Sequence, residues 1–218
     1  MEVELLKRKA ERPNIYSFVF SRPPGFSYEA GDFIELSFDY PGGGGRRWFT
    51  LSSTPRENFL QITTKYPPHP SQFKQELLKQ PIGGTFFISP AIGQFNLPRG
   101  DAENLLFVAG GIGITPFRSM LLHPSAKNHD ITLVYTAPED EHIFTDELDS
   151  APANTTYHTS RPKHLSMDTV AEQAPDWRSR TIYLSGPEPM IQKLAMELQP
   201  HVAPYQIRLD YFPGYTDL

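Results

Sequence analysis

Cysteine is absent from the chain. Its absence excludes disulfides, thiolate zinc sites, a catalytic thiol and any iron–sulfur cluster held by cysteine. A chain of this kind that moves electrons must borrow an organic cofactor. The seven histidines show no His-Glu-x-x-His or comparable spacing, so no metal site is expected. Long apolar runs are lacking as well. The longest, Leu105 to Phe117, is broken by glycines and too short to cross a bilayer. The charged start Met1-Glu2-Val3-Glu4-Leu5-Leu6-Lys7-Arg8 offers no secretory apolar segment, which predicts a cytoplasmic location. No lysine and arginine cluster with interleaved aromatics points to nucleic acid.

What remains is an ordinary globular composition: 218 residues, 39% hydrophobic and 21% charged, enough for two compact units. Charge is unevenly shared. Residues 1–100 carry 12 Lys and Arg against 9 Asp and Glu, whereas residues 101–218 carry 8 against 16. Either two solvated surfaces happen to differ, or the first half meets an acidic partner or a phosphate-bearing cofactor.

The first hundred residues read as strands. Segments 15–20, 33–38, 59–64 and 85–88 alternate apolar and polar residues and are rich in β-branched and aromatic types. Pro23-Pro24-Gly25, residues 41–45, Pro67-Pro68 and Gly83-Gly84 punctuate them. Only Ser71 to Gln80 looks helical, with Ser71 as N-cap. Short strands with turns between them predict an antiparallel β-barrel. After Pro98-Arg99-Gly100 the pattern changes. The continuous run Leu105-Leu106-Phe107-Val108, the later runs 131–135 and 181–184, the weaker segment 155–158 and the closing segment 205–209 alternate with helical stretches. That predicts a doubly wound, parallel-sheet α/β unit. The expected division is 1–98 and 99–218.

Three segments carry chemistry. In the first, the strand at Phe107-Val108 enters Ala109-Gly110-Gly111-Ile112-Gly113-Ile114-Thr115-Pro116, read as a glycine-rich turn with Thr115 as helix N-cap and Pro116 at the first helical position. Such a turn admits a bulky ligand and points helix N–H groups at a pyrophosphate, and no Walker lysine follows it. The second is the corner Ser185-Gly186-Pro187-Glu188-Pro189-Met190. Alone it is a plain strand-to-helix turn; at the end of a strand in the same sheet it is expected to face the first across a cleft. The third, Arg46-Arg47-Trp48-Phe49-Thr50, follows four glycines and offers arginine, ring and hydroxyl at alternating positions, read as one face suited to a phosphate and a flat ring.

In this order the segments resemble the ferredoxin–NADP reductase superfamily of FAD enzymes, here without an iron–sulfur domain. Arg47-Trp48-Phe49-Thr50 is similar to its flavin signature, Gly110 to Pro116 to its nicotinamide-nucleotide loop, Ser185 to Met190 to its Cys-Gly-Pro-x-x-Met corner, and Pro90-Ala91-Ile92-Gly93-Gln94-Phe95 to the segment that closes its barrel. The resemblance implies that Arg47 binds the FAD pyrophosphate and that Thr50 hydrogen-bonds the reactive ring nitrogen. It implies further FAD contacts from Trp48, Phe49, Thr63, Ser71, Gln72 and Phe212. Gly110, Gly111, Gly113, Thr115 and Pro116 would cradle NAD(P), with Gly186, Pro187 and Met190 at the nicotinamide. Ser160 and Arg161 resemble the pair that clasps the extra phosphate of NADP. Asp210 and Phe212 fit an acid-x-aromatic pattern, in which Phe212, or Tyr215 folding back, covers the flavin and Asp210 tunes it or relays a proton. Thr50, Ser185 and Asp210 are thus the expected catalytic residues.

Two positions depart from the pattern. Phe49 stands where a tyrosine is usual, and Ser185 where a cysteine is usual. The implied activity is hydride transfer between NAD(P)H and FAD, with electrons passed to a separate acceptor such as ferredoxin, flavodoxin, or a haem or oxygenase component. Two alternatives stay open: an electron-transfer subunit of a larger oxidoreductase, and a nucleotide-binding module without catalysis.

Overall fold

The computed structural model describes residues 1–40, 45–160 and 165–212, without the side chains of Tyr211 and Phe212. Its first half is one antiparallel sheet of six strands: β1 (Glu2–Arg12), β2 (Ile15–Ser21), β3 (Phe33–Phe38), β4 (Gly45–Thr50), β5 (Phe59–Lys65) and β6 (Thr85–Ile88), in the order β4-β3-β6-β1-β2-β5. The two edge strands approach each other where Leu51, just past β4, bridges Ile62 of β5, so the sheet curls into a barrel. Alternation explains the interior. Ile34, Leu36 and Phe38 point inward from β3 and meet Phe18, Phe20, Leu60, Ile62 and Phe86. Helix α1 (Gln72–Lys79) seals one opening with Phe73 and Leu77. Ser71 occupies the N-cap position as expected, yet its side chain makes no capping bond.

β1 was not expected from the sequence. Only Val3 and Leu5 of its eleven residues are buried, and its pairing with β2 shifts register between Leu5 and Lys7 and between Ala10 and Arg12. Bulges of this kind reset the two-residue period on which strand recognition depends.

The second half is a parallel five-stranded sheet: β7 (Asn104–Gly110), β8 (Asp130–Ala137), β9 (Asn154–Thr159), β10 (Thr181–Pro187) and β11 (Ile207–Phe212), ordered β11-β10-β7-β8-β9. Helix α2 (Ile114–Leu121) follows β7 and α3 (Thr145–Asp149) follows β8. α4 (Met167–Gln173) leads back to β10, and α5 (Glu188–Leu198) connects β10 to β11. Both faces are covered. Leu105, Phe107 and Ala109 pack with α2, while Leu106 and Val108 pack with α4 and α5. That two-sided burial is why the strand reads as an unbroken apolar run. The chain winds outward from β7 in one direction and then, through β10, in the other. The switch point lies between β7 and β10.

The halves share a core. Phe95 packs against Phe117 at 5.6 Å and against Tyr183 at 5.1 Å between ring centres. Glu141, beyond β8, accepts from Asn14 at 3.4 Å and pairs with Lys65 at the end of β5. Among the described residues no helix is long and apolar enough to cross a membrane.

Candidate cofactor site

At the switch point the two glycine corners touch; they do not face each other across a cleft. A Cβ on Gly113 would lie 2.2 Å from the Ser185 carbonyl oxygen and 2.6 Å from Gly186 Cα. One on Gly110 would lie 2.5 Å from Met190 Cε, and one on Gly186 3.0 Å from Gly110 Cα. Adjacent parallel strands, β7 and β10, end side by side, and only glycine lets their exits pack this closely. Gly111 differs: its φ is +53° and nothing lies within 4 Å of a Cβ there. It is the part of the turn with open space around it.

The turn also winds differently from expectation. Residues 111–113 form a tight helical turn that runs straight into α2, so Gly113 is the N-cap and Thr115 and Pro116 sit inside the first turn. Proline is tolerated there because the first helical N–H groups lack partners in any case. Thr115 is buried and its hydroxyl donates to the Ile112 carbonyl at 3.1 Å, bracing the turn from within. The turn lies against β5 as well as β8, β10 and β11, so both halves meet at this point.

Beneath the corner, Ser185 Oγ donates to Asp210 Oδ2 at 3.2 Å. Their strands pair in register, Ser185 beside Asp210, which brings together two residues 25 positions apart. Ser185 is fully buried. Burial pushes the Asp210 carboxyl up to about 6, and the hydrogen bond from Ser185 pulls the other way without cancelling it. Phe212 lies in β11 two residues on, but its side chain, like Arg161 and Tyr215, falls outside the described residues.

On the barrel side, pairing of β3 with β4 keeps residues at alternating positions on a common face and sets Arg47 and Phe49 opposite Thr50. Arg47 and Phe49 pair with Leu36 and Ile34; Arg46, Trp48 and Thr50 pair with Ser37, Glu35 and Phe33 on the opposite face. Arg47 and Phe49 meet Phe73 of α1, the guanidinium 5.6 Å from its ring centre and the two phenyl rings 6.1 Å apart. They therefore converge on the start of α1, next to Ser71 and Gln72. Trp48 stands edge-on to Phe33 on the other side, at 5.4 Å. Thr50 is buried at the end of β4. The Thr63 hydroxyl is held between Ser17 at 2.8 Å and Ser52 at 3.0 Å. Ser160 follows β9 and its N–H donates to the Ala137 carbonyl at 2.9 Å.

The arrangement thus assembles Gly110, Gly111, Gly113, Thr115, Ser185, Gly186, Pro187, Met190 and Asp210, and separately Arg47, Phe49, Ser71 and Gln72. Trp48 stands apart from both groups. A cleft of about 790 Å³, lined by Asn96, Arg99, Glu103, Tyr183 and Arg208 among others, opens at the opposite, N-terminal ends of the parallel strands. Ligands of open α/β sheets bind at the carboxyl ends, so that cleft is not the nucleotide site. Among the described residues no group of three His, Asp or Glu side chains could hold a metal ion.

Sequence reasoning missed Arg118. It lies in α2, every residue of which is buried, and it is 4% exposed. The signal was present: a single charge inside Ile114-Thr115-Pro116-Phe117-Arg118-Ser119-Met120-Leu121 must be paired if that helix is core.

A curled antiparallel sheet ahead of a doubly wound parallel one, with glycine corners meeting at the switch point, is the fold of the ferredoxin–NADP reductases. Residues 107–195 match the family described as the oxidoreductase NAD-binding domain. The chain is 29% identical to the stachydrine N-demethylase reductase subunit Stc4 of Rhizobium meliloti (strain 1021), over 83% of this chain and 51% of that protein. It is 28% identical to the glycine betaine monooxygenase reductase subunit of Pseudomonas aeruginosa (strain UCBPP-PA14), over 85% of this chain and 56% of that one. The chain spans about half the length of these curated relatives. A ferredoxin NADP+ reductase from Neisseria gonorrhoeae, solved with bound FAD and NADP, superposes with a TM-score of 0.83 at 22% identity, covering 97% of this chain and 98% of that one.

Proposed function

We propose that the chain is a flavin-dependent oxidoreductase that carries electrons between NAD(P)H and a separate acceptor through FAD. Residues 1–98 form the flavin unit and 99–218 the nucleotide unit. The observation that carries this reading is the contact of the two glycine corners above the Ser185–Asp210 pair, at the carboxyl ends of adjacent parallel strands. The residues suit the cofactors. Arg47 beside the start of α1, with no acidic residue in that helix's first turn, fits a pyrophosphate. Phe49 and Phe73 form an apolar wall next to it. The open backbone at Gly111, ahead of the N-terminus of α2, fits the phosphates of the second nucleotide.

When bound, FAD supplies acceptance of a hydride from the nicotinamide and release of its electrons to the acceptor. The chain's own work is alignment. Thr50 and Phe49 would orient one ring, Gly186, Pro187 and Met190 would bound the space for the other, and Asp210, its pKa raised to about 6 and its carboxylate held by Ser185, could take up and release a proton. Phe212, two residues beyond Asp210 in β11, would cover the flavin face. Ser160 and Arg161 would hold the extra phosphate of NADP. The cytoplasm is the compartment this reading assigns. Acceptors such as ferredoxin, flavodoxin or an oxygenase component dock from outside, and the reductase-subunit relatives favour an oxygenase component.

The test is the colour of the purified protein. A two-band flavin spectrum that NADPH bleaches without oxygen is expected; a colourless protein that takes up no added FAD sinks the proposal. NADPH should outperform NADH, and Arg161→Ala should bring the two together. The relatives' greater length favours a second reading, a module of a larger multicomponent oxidoreductase. Under that reading the chain is reduced by NAD(P)H but passes electrons on only with its partner present.

A further inference from the structure

One buried guanidinium ties the two halves together beside their shared core. Arg118 directs all five of its N–H donors at acceptors. Nε donates to Glu147 Oε2 at 2.8 Å, and Nη2 to Glu147 Oε1 at 2.6 Å and Glu57 Oε1 at 3.4 Å. Nη1 donates to the Ser52 carbonyl at 2.6 Å and to Glu57 Oε2 at 3.3 Å. Glu147 belongs to α3 in the nucleotide half; Glu57 and Ser52 belong to the barrel. Burial works against the charge, and the hydrogen bonds and charges of Glu147 and Glu57 more than offset it, raising the arginine's pKa. Phe144, the only non-glycine with positive φ among the described residues, sets its ring 5.1 Å from the guanidinium just ahead of α3. The next residue repeats the tie, Ser119 Oγ donating to the Ser53 carbonyl at 2.6 Å.

The position of this joint matters more than its strength. On the barrel side it grips Ser52, two residues beyond Thr50 and hydrogen-bonded to Thr63. On the other side it lies within α2, five residues beyond Gly113. Among the described residues this is the ion-pair link between the end of the flavin strand and the helix of the glycine turn. Arg180 makes the contrast. It is equally buried, but its partners Asp176, Asp130 and the Leu105 carbonyl all lie in the parallel-sheet half.

We infer that Arg118 is a positioning residue: with Glu57 and Glu147 it fixes the separation and tilt between the flavin-holding strand β4 and the nucleotide turn, and so the alignment of the two rings. The inference rests on the functional reading above. It concerns the relative placement of the halves, a quantity that exists whether or not cofactor is bound. A lysine keeps the charge but offers three donors without the planar fork, so Arg118→Lys breaks the geometry while sparing the charge. Displacing reacting groups by about 1 Å costs hydride transfer on the order of 10²-fold.

The experiment uses the full chain, whose lack of cysteine makes labels at Ile82→Cys and Met196→Cys unique. Both positions are exposed, one in each half. Spin-label distances are compared in the parent, Arg118→Lys and Arg180→Lys, together with FAD and NADP+ dissociation constants and the rate of anaerobic reduction by NADPH. The inference requires a broadened or shifted distance in Arg118→Lys alone, affinities within about threefold of the parent, and reduction slowed on the order of 10²-fold. A distance distribution as narrow and as placed as the parent's overturns it, whatever the rate. If the parent takes up no FAD while the distance still changes, the joint stands and the functional reading falls. Should Arg118→Lys fail to fold, Glu57→Gln removes only the barrel-side charge and carries the same comparison, with unchanged distance again the overturning result.

Discussion

The two halves prepare their sites from different materials. The parallel-sheet half uses backbone: Gly113 is packed so closely on the Ser185 carbonyl that an added carbon has no room, and Gly110 and Gly186 press on Met190 and on each other. The antiparallel half uses side chains: Arg47 and Phe49 reach from a strand to Phe73 on a helix, with their faces set by alternation. A backbone site is rigid and indifferent to polar substitution around it, yet it fails at once when a Cβ enters. A side-chain site loses its ligand when truncated, and the fold beneath survives. The nucleotide corner is therefore part of the architecture, whereas the flavin grip is mounted on it.

The comparison breaks most plainly at Gly113. Gly113→Ala forces a carbon against the Ser185 carbonyl, and a loss of about 3 kcal/mol or more in stability is expected by denaturant unfolding. An alanine variant as stable as the parent would show that the corners are loosely packed after all.

Asp210 sharpens the contrast, since it is a buried carboxyl hydrogen-bonded to the backbone-built corner through Ser185. Its folded pKa is raised to about 6 by burial, while an unfolded aspartate ionises near ~3.9. Below about pH 4 both states are protonated and the group costs nothing. As pH rises through the interval up to about 6 the folded state must accept a charge that the unfolded state carries freely, so stability is lost over that window. Asp210→Asn lacks this slope. It should gain roughly 2–3 kcal/mol at pH 8 and nothing at pH 3.5. Equal gains at both pH values would mean that packing, not ionisation, is responsible.

Arg47→Ala tests the other half. FAD affinity should weaken by about 2 kcal/mol, roughly 30-fold, while the cofactor-free protein melts within about 0.5 kcal/mol of the parent. Full flavin occupancy in the variant would move the grip elsewhere, with Arg46 next to examine.

The smallest effect belongs to Gly111, whose surroundings are open. Gly111→Ala meets only the cost of a left-handed backbone, about 1 kcal/mol. NADP+ titration should then weaken more than stability does. The reverse would make Gly111 structural like its neighbours.

Much of the molecule was legible before folding. Segment 33–38 announced its strand because burial alternates along it, segment 59–64 by its polar and apolar alternation although both its faces are buried, and Leu105–Val108 announced a central parallel strand because both faces are apolar and buried. The glycine turn and the Ser185–Met190 corner were visible as motifs. β1 was hidden by two bulges that broke its alternation. Thr115 was misread as a cap because sequence does not reveal that the preceding glycines already wind into the helix. The alternation read in β4 held, with Arg46, Trp48 and Thr50 on one face and Arg47 and Phe49 on the other, but only the packing of α1 decided which face meets Phe73.

By itself, then, the sequence determined the class of each half, the order of the halves and the cysteine-free redox chemistry open to them, because those follow from local periodicity and residue type. Only the tertiary structure decided which residues meet. Ser185 found Asp210 through the register of two parallel strands, Gly113 found Gly186 because β10 returns beside β7, and Arg118 found Glu57 and Glu147 because the barrel and α3 both pack on α2. Those pairings span 25 to 73 residues of chain, and their geometry is set by sheet order and packing, which no window of sequence contains.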